Sequence, residues 1–251
     1  MSGSAETYPG AVVHPSAKIG ADVKVAHGAV VEKDVILETG VQVMSRAVVG
    51  EGCRVGSGCV LFPGCVLSGG IPSALHVGEG SVLREHVTVR AGTRDCPTRI
   101  GGDCLIMGGV HVGSGCQVGD GVVVGNGSVL LDNVHMGERC VVGGLSYVAR
   151  DRKVGRLTMV GGMSHVWGHV PPFSTVSGSP AKCFGLNIVG LRRAGVSEEV
   201  RMELKRAYRM VGVDGIAPKE LYERLERDRN SARETFEYAE FLLLSGLGII
   251  L

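Results

Sequence analysis

From Val13 onward an aliphatic side chain returns at every sixth position: Ile19, Val25, Val31, Leu37, Val43, Val49, Val55, Leu61 and Leu67. The phase slips, resumes at Val77, Leu83 and Val89, slips again, and then runs unbroken from Ile100 to Val166. Four residues after each aliphatic comes a small or medium side chain, among them Ala17, Val23, Ala29, Cys53, Cys59, Cys65, Cys104, Cys116, Ser128, Cys140 and Ser146. Glycine gathers directly after the aliphatic or three residues after it, as in Val55-Gly56-Ser57-Gly58 and Val118-Gly119-Asp120-Gly121. A period of six matches neither a 3.6-residue helix nor an alternating strand. It predicts a three-sided coil of short parallel strands, 18 residues per turn, with both constrained positions facing a narrow interior. Residues 18 apart in uninterrupted stretches then become vertical neighbours, about 4.8 Å apart.

The two slips fall on Ser68 to Ala74 and Gly92 to Thr98, segments rich in Gly and Pro. Loops leaving a regular scaffold are frequent carriers of function, and equally frequent tolerated insertions. Arg152 stands where the repeat wants a small residue, so that coil is expected either to distort or to bulge out of register. The coil is predicted to end near Val170-Pro171-Pro172. Beyond it the pattern turns helical: Ser197 caps a helix carrying Val200, Leu204, Ala207 and Val211, Pro218 opens a second with Leu221 and Leu225, and a third runs from Ser231 through Phe236 to Leu244. The expected domains are residues 1–183, the coil, and 184–251, the helical region.

Composition sharpens this picture. The chain of 251 residues has 40 glycines and only 4% aromatics, as a cavity too narrow for large rings requires. Lys and Arg total 26 against 25 Asp and Glu, so no overall positive field suggests a nucleic-acid binder. No run approaches the roughly 18 apolar residues of a membrane span, and Met1 to Gly10 lacks a basic segment followed by an apolar one. The expectation is a cytoplasmic protein. Six of the eight cysteines occupy the small inward position, and no CxxC occurs, so they are read as compact fillers rather than disulfides or metal ligands.

Several segments carry a family likeness: Val13-His14-Pro15-Ser16-Ala17, Arg84-Glu85-His86-Val87-Thr88-Val89 with Gly92-Thr93, Leu105 to Val112, Val170-Pro171-Pro172-Phe173, and Phe184 to Arg193. Through them the chain resembles the UDP-N-acetylglucosamine acyltransferases of lipid A biosynthesis, hexapeptide-repeat enzymes with a left-handed parallel β-helix and a three-helix tail. The resemblance implies transfer of an acyl group from acyl carrier protein, or alternatively from a CoA thioester, to a sugar, nucleotide-sugar or amino-sugar acceptor. It implies a homotrimer with sites between subunits, no bound cofactor and no metal. At the family's general-base histidine this chain has Ser114, at its oxyanion glycine Asp132, and at two further family histidines Asn133 and Ala149. Val189 replaces a family glutamate.

Matching the family residue by residue leaves His111 as the catalytic candidate, in one column with Tyr147 and His165. Ser114, Asp132 and Arg150 form a second column of substrate-binding candidates, with an ion pair expected between Asp132 and Arg150. Asn187 and Arg193 match nucleotide-contacting positions, Gly162 the acyl-chain gauge, and His86 and His135 are outward histidines able to supply a displaced base. Three readings remain open: a transferase with a relocated base, a catalytically inactive paralogue that binds a nucleotide-sugar or acyl ligand, and a purely structural protein.

Overall fold

The computed structural model describes residues 5–70, 74–228, 231–246 and 248–251. Strands of two to five residues stack into three sheets of eleven, nine and eight strands, the faces of a prism. The first face includes Lys24–Val25, Val60–Leu61 and Val123–Val124, the second Val30–Val31, His111–Val112 and Tyr147–Val148, and the third Ile36–Leu37, Gln117–Val118 and Lys153–Val154. Coil stacks on coil in parallel register, as in Val25 beside Val43 and Val112 beside Leu130. Across the first interruption the partners are Val55 and Val77, so four residues are added to that turn; across the second they are Val77 and Ile100, so five are added. Both additions leave at the corner between the second and third faces, and the phase of all three faces survives them.

Most corners turn on one residue in the left-handed region, three places after the inward aliphatic. Glycine fills many of these places, and Asp22, Asp34, Asp103, Asn133 and Asp151 fill others at φ between 52° and 60°. The glycine one place after the aliphatic answers a different constraint. A Cβ on Gly137 would lie 2.4 Å from the Arg156 nitrogen of the next coil, so only hydrogen lets the turns stack there.

Inside, Val31, Leu61, Ile106 and Leu130 are fully buried. The predicted small positions are buried too, and their polar atoms do more than fill space. Cys104 Sγ donates to Gly119 O at 3.2 Å and Cys140 Sγ to Gly155 O at 2.9 Å, each satisfying a corner carbonyl. Burial pushes the Cys53, Cys65, Cys116 and Cys140 thiols up to about 12, so they stay protonated. In the upper coils of the first-to-second corner, where Cys65 stands lower down, serine takes the inward place and forms a ladder. Ser128 Oγ donates to Gly143 O while accepting from Ser146 N, and Ser146 Oγ repeats the pattern with Gly161 O and Ser164 N.

The coil is longer than the hexad pattern indicated. Glu6–Thr7 already pairs with Lys24–Val25, hidden because threonine takes the aliphatic place. After Pro172 the chain returns as Ser174–Ser177 beside Met159–Val160, in a last turn two residues short, with Val154 beside Val170 and Val160 beside Val176. Lys182–Leu186 then folds back antiparallel. Around Arg152 the register does not bulge, since His135 pairs directly with Lys153 and donates to Arg152 O. The misfit is local: the half-buried Arg152 side chain has an Nε without a partner.

Among the described residues four helices, not three, follow: α1 (Ile188–Arg193), α2 (Glu198–Gly212), α3 (Pro218–Arg227) and α4 (Arg233–Ser245). Ser197 caps α2 and proline opens α3, as expected. They bury Leu204, Leu221, Tyr238 and Leu242 together with Leu157 and Phe173 of the last coils. Arg156 fastens the two parts: it lies 4.8 Å over the Phe173 ring and pairs with Glu237 at 2.6 Å. The last residues pack on the coil, with His169 beside Ile249 and Ile250 against the coil interior. Among the described residues no helix is long and apolar enough to cross a membrane.

Alkylation in the native state should therefore separate the thiols. Mass spectrometry after iodoacetamide treatment at pH 8 should find exposed Cys96 modified first, and the six inward cysteines modified only after denaturation.

Candidate functional site

The corner between the second and third faces gathers most of the predicted chemistry. It receives both inserted loops and the column Ser114, Asp132 and Arg150. The loops are stitched to each other: Gly92 N and Thr98 N both donate to Ala74 O at 2.9 Å, and Thr98 Oγ1 donates to Arg90 O at 2.7 Å. Residues 71–73 of the first loop lie outside the described residues.

Ser114 is committed to this stitching. Its hydroxyl donates to Ala91 O at 2.9 Å and its backbone nitrogen to Asp132 Oδ1 at 2.9 Å. Asp132 thus turns down toward the neighbouring backbone. The expected pairing with Arg150 is absent from the ion pairs among the described residues, and Arg150 stays exposed. A backbone N–H one coil away lies closer to a short carboxylate than a guanidinium reaching down a corner. Asn133 takes a similar local partner, donating from Nδ2 to Asp151 Oδ1 at 3.1 Å.

His111 lies half-buried on the outer side of the second face. The expected column is real: Thr88, His111, Val129, Tyr147 and His165 are successive partners in register. Thr88, which the sequence reading passed over, puts Oγ1 2.8 Å from His111 Nδ1. That contact orients the ring and leaves Nε2 directed away from it. At the far end of the column Tyr147 and His165 are joined by Trp167, which was missed in the sequence. The Tyr147 ring lies 5.4 Å from Trp167 and 5.7 Å from His165, and Trp167 is 57% exposed. The signal was present, because Trp167 follows His165 by two and so points outward with it.

The other candidates are scattered. Asn187 caps α1: its Oδ1 accepts from Gly190 N at 2.9 Å and its Nδ2 donates to Leu157 O at 2.8 Å, so both ends of the amide are in structural use. Arg193 is exposed in the last turn of α1. Gly162 is exposed at the first-to-second corner, where a Cβ would meet Gly144 O at 3.3 Å. His86 holds a left-handed corner at φ 58°, against Gly64. His135 lies on the third face, its pKa lowered by partial burial and then by the Lys153 charge.

A triangular prism of hexapeptide turns with a helical cap defines the class of hexapeptide-repeat transferases. The family model described as bacterial transferase hexapeptide matches residues 28–63 and 97–132, and that for UDP N-acetylglucosamine O-acyltransferase, domain 2, matches 169–250. The acyl-[acyl-carrier-protein]–UDP-N-acetylglucosamine O-acyltransferase of Alkalilimnicola ehrlichii is 33% identical over 186 residues, 72% of this chain and 71% of that protein. Its counterpart from Gloeothece citriformis is 31% identical over 163 residues, 64% of this chain but only 59% of that protein. The solved structure of LpxA from Acinetobacter baumannii superposes with a TM-score of 0.92 at 28% identity, covering 98% of this chain and 99% of that one. The chain belongs to the UDP-N-acetylglucosamine acyltransferase family, and its coil is the left-handed parallel β-helix that the repeat and the resemblance implied.

The double use of Asn187 can be measured. Asn187→Ala should cost about 1–2 kcal/mol in denaturant unfolding, from the lost cap and the stranded Leu157 carbonyl, while Arg193→Ala should leave the midpoint unchanged.

Proposed function

We propose that this protein moves an acyl group from a thioester, on acyl carrier protein or CoA, to a sugar, nucleotide-sugar or amino-sugar acceptor, using His111 as the base. The observation that carries the reading is the His111–Thr88 contact on the outer second face, beside the corner where both loops emerge. With Nδ1–H donating to Thr88 Oγ1, Nε2 has a lone pair for the acceptor proton. The acceptor oxygen or nitrogen attacks the thioester carbonyl, the C–S bond breaks, and the proton passes through the imidazole to the leaving thiolate. An amine acceptor asks less of the base than a hydroxyl does, because a neutral amine already carries its nucleophilic lone pair.

In this reading the coil, residues 1–183, carries the site, and residues 184–251 form the helical domain beside it. Asp132, Arg150 and Arg193 contact polar parts of the substrates, Gly162 leaves room for the acyl chain, and Asn187 and Ser114 act by fixing their surroundings. No resident cofactor or metal enters the chemistry, and the reaction runs in the cytoplasm.

The working unit is a homotrimer. The outer column of the first face is an unbroken apolar stripe, Val60, Val82, Leu105, Val123, Val141 and Met159, each half-exposed in the single chain. At the adjoining corner Leu145 and Met163 take left-handed φ of 57° and 55° while remaining 66% and 71% exposed. Strain and exposure together favour burial against another copy.

A second reading, a paralogue that binds but does not turn over, is favoured by one fact: Ser114, Asp132 and Asn187 all spend polar atoms on internal bonds. Thioester release measured with acyl carrier protein and CoA donors against a panel of nucleotide and amino sugars decides between them. Turnover that falls about 10²–10⁴-fold in His111→Ala supports the transferase, and Ser114→His, restoring an imidazole at the corner, should raise it. Ligand-induced thermal stabilisation without any turnover supports the binding paralogue. Separately, light scattering should show trimers for the native chain and monomers for the Val123→Glu, Val141→Glu double variant.

A further inference from the structure

The third face of the prism carries a groove of about 840 Å³, away from the outer column that holds His111. Its floor is one unbroken outer column, Arg54, His76, Arg99, Gln117, His135 and Lys153, each the register partner of the next. The volume lies within the range of small-molecule sites, roughly 300–1,000 Å³.

On other parts of the prism Lys24 meets Glu6 and Lys33 meets Glu51 one coil away. In this column no acid intervenes. Arg54, Arg99 and Lys153 take part in no ion pair among the described residues. Two carboxylates line the groove beside these three cations: Asp120, turned to the backbone and accepting from Gly102 N at 2.7 Å, and Glu38. The uncompensated charge is felt within the column, since Lys153 adds to the lowering of the His135 pKa. Three cations in one row, none in an ion pair among the described residues, outnumber the two lining carboxylates and repel one another, and an anion laid along them removes that repulsion.

Spacing selects the shape of the anion. Arg54 and Arg99 stand two coils apart, about 10 Å, and Arg99 and Lys153 three coils apart, about 14 Å. A compact oxyanion reaches one of these cations; a long molecule with separated phosphates reaches all three. The arginine forks suit phosphate oxygens. The walls include the corner residues Gly56, Gly101 and Gly119, and Phe241 of α4 adds an aromatic ring to the lining.

We propose that this groove binds an elongated small molecule bearing several phosphate groups, held by Arg54, Arg99 and Lys153. The site does not depend on acyl transfer at His111, and its test uses binding alone. Titration calorimetry on the full chain at low ionic strength, with tripolyphosphate and with coenzyme A as probes, measures it. At least one probe should bind more tightly than orthophosphate, and Arg54→Ser with Arg99→Ser should weaken that binding by roughly tenfold or more. Arg46→Ser, on another corner, should leave it unchanged, and all unliganded variants should keep the native melting temperature, because these side chains are exposed. If tripolyphosphate binds and coenzyme A does not, the ligand is a plain phosphate chain; the reverse result marks a nucleotide-bearing one. Binding no tighter than orthophosphate, equal binding by the double variant, or a preference for polyglutamate over both phosphate probes overturns the proposal.

Discussion

Everything in this molecule depends on how closely one backbone turn can lie on the next. The ladder between coils uses the main chain of nearly every strand residue, so the corners must turn within a few atoms without lifting the turns apart. That requirement explains the residue pattern better than any preference for strand. Gly137 is held to hydrogen by the nitrogen of Arg156, and the corner residues accept left-handed angles whether they are glycine, aspartate or leucine. The interior then has one width, and each inward place takes one aliphatic and one compact partner.

The same constraint decides which polar groups enter the core. A corner carbonyl pointing inward would be stranded beside a methyl group. A thiol or hydroxyl at the compact place meets it, as Cys140 and Ser146 do. Cysteine and serine are thus equivalent answers to one geometric demand. The high thiol pKa values follow from that burial rather than from any reactive purpose.

What could be read from the residues alone followed the strength of the periodic signal. The inward columns, the phase and the vertical neighbours His111, Tyr147 and His165 were all legible, because an error of one residue would have turned every aliphatic outward. The ends were not, because Thr7 interrupts the aliphatic series and the last turn is two residues short. Helix α1 was hidden for another reason: it is six residues long and begins at a side-chain cap, so no amphipathic period develops. The column of Ser114, Asp132 and Arg150 was legible as vertical neighbours, but its bonding was not. The short side chains of Asp132 and Asn187 found backbone groups nearer than the partners expected of them. The charged third face was missed altogether, though the residue before each of Val55, Val77, Ile100 and Val154 spells it out once the slips are counted.

The two inserted loops show what this architecture permits. Four residues enter one turn and five enter the next at the same edge, and the strands above resume as if nothing had intervened. Lengthening at an edge costs the winding nothing, provided the chain comes back in phase. Such a scaffold lets new recognition elements of any length be spliced in at an edge without renegotiating the core, so a descendant of this chain could lengthen or trim these loops residue by residue while every strand above kept its face.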